Sequence, residues 1–141
     1  MPGLVVAVAG LAGSGGGCSV EPEAEEGPCV VLDADCEPLY EPTFEQVFSR
    51  TLQPTCGAGN RTCHSADGAQ GGLIFAEMDA SYDGLLGEAG GGPQVIPGDA
   101  ECSSMMRRLE TSGPSAMPPG DRLSAAERCS VGLWIRNGAP R

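Results

Sequence analysis

Seven cysteines sit in a 141-residue chain in which aromatic residues make up only 4%. That combination constrains the fold more than any other feature. A core without large aromatic side chains is aliphatic and small, and burial alone leaves such a domain marginal unless crosslinks or a bound group supplement it. Sulfur chemistry is therefore expected to carry part of the stability. Disulfides persist in oxidising compartments, so the cysteine count also points to export.

Charge narrows the partners. The formal net charge is -11, with no lysine and all eight basic residues arginine. Nucleic acid is excluded as a partner, because phosphate binding needs a basic face. Nine of the 19 acidic residues lie between Glu21 and Glu45, and no arginine precedes Arg50. This run, broken by Pro22, Gly27, Pro28, Pro38 and Pro42, reads as a solvated acidic linker over 19–42. Before it, Leu4 to Ala12 has the length of a signal-peptide apolar core and is too short to span a bilayer. Residues 1–18 are read as a leader, with Cys18 placed where a bacterial lipoprotein carries its acylated cysteine. The expected setting is the periplasm or outer membrane of a Gram-negative-type bacterium.

The remainder, 43–141, reads as a small all-α domain with long Gly/Pro-rich loops. Thr43 and Gln46 form a capping-box pattern ahead of Phe44, Val47, Phe48 and Leu52, and Pro54 is expected to stop that helix. Ser81 to Leu86 has the length of one or two helical turns. Asp99 looks like an N-cap for a stripe of Cys102, Met105, Met106 and Leu109. Ser124 and Glu127 make a second capping box, followed by Ala126, Cys129, Leu133 and Trp134, with Gly138 as the C′ stop. Three helices are expected near 43–52, 99–110 and 124–137.

The chemistry concentrates at Cys56-Gly57-Ala58-Gly59-Asn60-Arg61-Thr62-Cys63-His64. A Cys-His pair with a second cysteine upstream is the pattern of covalent c-type haem attachment, in which two thiols add to the vinyl groups and the histidine binds iron. The usual motif has two residues between the cysteines; here there are six. His64 is the single histidine of the chain, so any axial histidine role falls to it. In an oxidising compartment the same two thiols can instead close a disulfide loop. A zinc site on Cys56, Cys63 and His64 lacks an evident fourth ligand. Hydrolytic catalysis lacks a G-x-S-x-G element and an oriented base, so no enzyme is expected.

The order of elements from Phe44 to Ala139 resembles the planctomycete-type cytochrome c-like domain. The matching pieces are Pro54-Thr55-Cys56, Cys63-His64, Gly71-Gly72-Leu73, Pro97-Gly98-Asp99, Met117-Pro118-Pro119, Leu123-Ser124 and Trp134-Ile135 with Gly138-Ala139. The resemblance implies a cytochrome c-like helical fold and one-electron transfer with a redox partner protein. It implies haem c held by Cys56 and Cys63 as thioether positions, His64 as proximal ligand and Met117 as distal ligand. A His–Met pair fills both axial positions of iron, which suits electron transfer. Leu52, Leu73, Ile74, Phe75, Leu85, Leu86, Leu109 and Ile135 are the candidate apolar lining. The alternative is a haem-free, disulfide-stapled module of an envelope lipoprotein. For that state the expected pairs are Cys29–Cys36, Cys56–Cys63 and Cys102–Cys129.

Overall fold

The computed structural model describes residues 27–57, 63–89 and 92–141. The 1–18 leader and Cys18 lie outside the described residues. Helices α1 (Phe44–Val47), α2 (Met78–Leu85), α3 (Ser104–Glu110) and α4 (Ala125–Arg136) order the chain, and α1 runs directly into a wider-turned helix over Phe48–Gly57. Among the described residues there is no strand, only an isolated bridge between Ile96 and Asp99. The all-α expectation holds. No helix among the described residues is long and apolar enough to cross a membrane.

The strongest local signals place α4. The Ser124 hydroxyl accepts from the Glu127 N–H at 3.1 Å, and the Glu127 carboxylate accepts from the Ser124 N–H at 2.8 Å. Both orphan donors of the first turn are thereby satisfied. At the other end Gly138 adopts φ +94°, the left-handed conformation that glycine takes without strain, and ends the helix. Trp134 is completely buried, stacks at 5.2 Å from the Phe44 ring, and donates its indole N–H to the Pro140 carbonyl at 2.9 Å. Phe44, Val47, Leu85, Val95, Met106, Val131 and Ile135 complete the centre of the core.

Two helices depart from their expected bounds. Thr43 caps α1 through the Gln46 N–H, but Pro54 does not end the run. Proline cannot donate an N–H, and its ring clashes with the carbonyl four residues back in an α-helix. The i→i+5 spacing of the π-helix widens the turn, and the chain carries on past Pro54 to Gly57. Asp99 does not cap α3 either. Its carboxylate accepts from the Cys102 N–H at 3.0 Å, closing a local turn. Ser103 is the N-cap residue of α3; its buried hydroxyl donates to the Asp99 carbonyl at 2.6 Å and accepts from the Ile96 N–H at 2.8 Å. Of the expected stripe, Met106 and Leu109 are buried and Met105 packs at the edge of the core.

The sulfur pairings differ from expectation. Cys29 joins Cys102, and Cys36 joins Cys129. The Cys29–Cys36 and Cys102–Cys129 pairs are therefore corrected. The stripe argument found two inward-facing cysteines but not their partners, because Cys129 on α4 and Cys102, in the turn ahead of α3, each face the segment ahead of α1. That segment, part of the expected acidic linker, is fastened to the helices. The Val30 N–H reaches the Glu101 carbonyl at 2.9 Å, and the Leu39 N–H reaches the Ala126 carbonyl at 3.0 Å. Tyr40 is buried, with its hydroxyl 2.5 Å from Thr51 Oγ1. Arg136 donates to the Leu32 and Asp33 carbonyls and pairs with Glu101. Gly132 leaves room on α4 for Leu32, whose Cδ1 would stand 3.4 Å from an added Cβ. Charge composition did not reveal this, because the acidic side chains point outward while Leu32 and Tyr40 point in.

Candidate functional site

His64 is fixed by three backbone contacts and one ring contact. Its N–H donates to the Cys56 carbonyl at 3.2 Å, and its carbonyl accepts from the Phe75 N–H at 2.7 Å. The Gln70 N–H donates to the Cys63 carbonyl at 2.8 Å, which folds 63–70 back on itself. Nδ1 lies 3.3 Å from the Leu73 carbonyl oxygen. A carbonyl only accepts, so Nδ1 carries the proton and Nε2 keeps its lone pair. Burial pushes the imidazole below its usual range, and the Arg108 guanidinium acts in the same direction. The Leu73 and Gln70 carbonyls oppose them only in part. Burial thus favours the neutral imidazole at His64.

Phe75 occupies the flank of this histidine. The two rings are 5.0 Å apart at 48°. Phe75 is itself held by Gly57, where a Cβ would fall 2.3 Å from the Phe75 carbonyl oxygen. The glycine after Cys56 is therefore required by close backbone approach. Sequence reasoning placed Phe75 in an apolar lining but missed Gly57 and Arg108; the Cys56-Gly57 dipeptide shortly after Pro54 was the available signal.

The other expected site residues are held by different elements. Cys56 is half-buried against the core and carries a thiol. Cys63 is disulfide-bonded. The two are therefore not joined to each other, which corrects the third expected pair. Met117 hangs from α3: its N–H donates to the Arg108 carbonyl at 2.9 Å, and its side chain packs at the edge of the core, with a cis peptide bond to Pro118. Arg108 is thus the common neighbour of His64 and Met117.

These residues fit haem c on one side only. An imidazole whose Nδ1–H is held by a backbone carbonyl is the ligand form that metal sites use. The sulfur side does not fit, because a disulfide-bonded Cys63 has no thiol to form a thioether. Two surface clefts, of about 280 Å³ beside the 29–36 segment and about 390 Å³ beside α1, are lined by residues other than Cys56, Cys63, His64 and Met117. Most of the expected lining, Leu52, Phe75, Leu85, Leu109 and Ile135, is packed within the core, while Ile74 is exposed. No group of three or more His, Cys, Asp or Glu residues that could hold a metal ion occurs among the described residues.

Comparison with known proteins finds one similarity, over part of the chain. The family described as Planctomycete cytochrome C matches residues 61–121, which takes in Cys63, His64 and Met117 and leaves Cys56 outside. Over that stretch the chain is similar to this family, the one its sequence pieces resemble. No curated protein and no solved structure gives a significant match. The family and the disulfides together suit an exported protein.

Proposed function

We propose that this chain is a haem-free, disulfide-stapled cytochrome c-like module of an exported envelope protein, non-catalytic and used for interaction. The observation that carries the reading is the state of the Cys56–His64 segment. Cys63 has its sulfur in a disulfide, and the flank of His64 is filled by Phe75, itself seated on Gly57. Two further disulfides bind the segment ahead of α1 to the turn before α3 and to α4. These features support a rigid scaffold rather than an opened cofactor pocket. Location in the periplasm or at the outer membrane belongs to the same proposal.

The second reading is one-electron transfer by haem c on Cys56, Cys63, His64 and Met117. The tautomer of His64, with Nδ1–H on the Leu73 carbonyl, favours it. Expression in a host with the c-type maturation system separates the two. The first reading expects colourless protein with no Soret band and no alkaline pyridine haemochrome. Covalently bound haem in the wild type, lost in His64→Ala, would overturn it.

A further inference from the structure

The cleft of about 390 Å³ beside α1 lies away from the His64 loop and is lined by Glu41, Phe44, Glu45, Met78 and Arg141, among others. Its two carboxylates are exposed, and among the described residues neither forms an ion pair. Met78 is 41% exposed, so apolar surface stands open beside these charges. An apolar floor with acidic walls suits one kind of occupant, a cationic side chain with an aliphatic stem.

The chain itself shows how such a group sits on this face. The Arg141 guanidinium stacks 4.5 Å from the centre of the Tyr82 ring and pairs with Asp79 at 3.2 Å and with Asp83. Thus Arg141 satisfies the α2 side of the cleft, while Glu41 and Glu45 are left for a cation from outside. The net charge of -11 adds long-range attraction for a basic partner. We propose that this cleft is a docking site for a basic, arginine- or lysine-bearing segment of a partner protein. The partner's aliphatic stem would cover Met78, and its charged head would lie between Glu41 and Glu45. This inference does not depend on whether haem binds at His64.

A fluorescein-labelled heptapeptide with arginine alternating with leucine is a suitable probe, read by fluorescence anisotropy at low salt. The wild type should bind it, and Glu41→Gln with Glu45→Gln should weaken binding about tenfold. Asp67→Asn with Glu88→Gln removes equal charge at two exposed positions outside the cleft and should change binding less than about twofold. Met78→Ser should weaken binding several-fold at an unchanged salt dependence. All of these side chains are surface-exposed, so the variants are expected to fold, and circular dichroism checks that they do. Equal weakening by the control pair would reduce the effect to net charge and overturn the site. So would failure of the wild type to bind. Sedimentation showing a dimer that Glu41→Gln/Glu45→Gln dissociates would make a second copy the occupant, and would also overturn it.

Discussion

His64 Nδ1 lies 3.3 Å from the Leu73 carbonyl, while the ring is half-buried beside Phe75 and under the influence of Arg108. Burial lowers the affinity of this imidazole for a proton, and the chain has no other histidine. The single Hε1 resonance should therefore titrate below 6.5, the ordinary value for the group. The sign for stability follows. The unfolded chain binds the proton more readily than the folded one, so the contribution of His64 is fully present above pH 6.5 and is lost as pH falls through the lower folded value. A midpoint at or above 6.5 in an NMR titration would contradict the buried, neutral assignment.

The two described disulfides should dominate stability. They join residues 73 and 93 positions apart, and in the chain-entropy model each closed loop of that size is worth about 4 kcal/mol. Replacing Cys29 and Cys102 by serine, or Cys36 and Cys129, should each lower the urea midpoint strongly without changing the helical far-UV spectrum at low denaturant. Non-reducing digestion should yield peptides linking Cys29 to Cys102 and Cys36 to Cys129. A Cys29–Cys36 peptide as the main product would reject the arrangement.

What the sequence made legible was local. The Ser124–Glu127 box and Gly138 fix α4 because both act within one turn, and the structure reproduces them. The existence of α1 and α3 was equally readable from Phe44, Val47, Met106 and Leu109. Non-local facts were not readable. Nothing near Cys29 or Cys36 in the chain shows that their partners are 73 and 93 residues away. Acidic composition hid the fact that Leu32 seats on Gly132 and Tyr40 reaches Thr51. At the site, His64 and Met117 were found as residue types. The filling of the histidine's flank by Phe75 depends on Gly57 meeting a backbone 18 positions on, which no spacing rule encodes.

Gly57 offers a direct test of that packing. Gly57→Ala would place a methyl carbon 2.3 Å from the Phe75 carbonyl oxygen, a backbone atom that cannot rotate away. The chain must shift locally, at a cost of about 1–3 kcal/mol. The same change at Gly27, where nothing lies within 4 Å of the new carbon, should be close to neutral. The Hε1 shift of His64 should move in Gly57→Ala and stay in Gly27→Ala, because only the first displaces the ring against His64. Equal stability of the two variants would mean that Phe75 is not held as described.

The C-terminal turn separates buried from surface polarity. Trp134 is fully buried, and its indole N–H is paired with the Pro140 carbonyl at 2.9 Å. Trp134→Phe keeps an aromatic ring beside Phe44 but removes that donor and part of the core volume, and should cost about 2–3 kcal/mol in urea unfolding. Arg141 presents the opposite case. Its side chain is 51% exposed, and the carboxylates it meets on Asp79 and Asp83 are 77% and 39% exposed. Solvent screens such pairs, so Arg141→Ala should cost less than about 1 kcal/mol, and the difference should shrink further in high salt. The loss in Trp134→Phe should not respond to salt, because it arises from packing and one neutral hydrogen bond. A salt-sensitive Trp134 variant, or an Arg141 variant as damaging as it, would reverse the assignment of what holds the tail against α2.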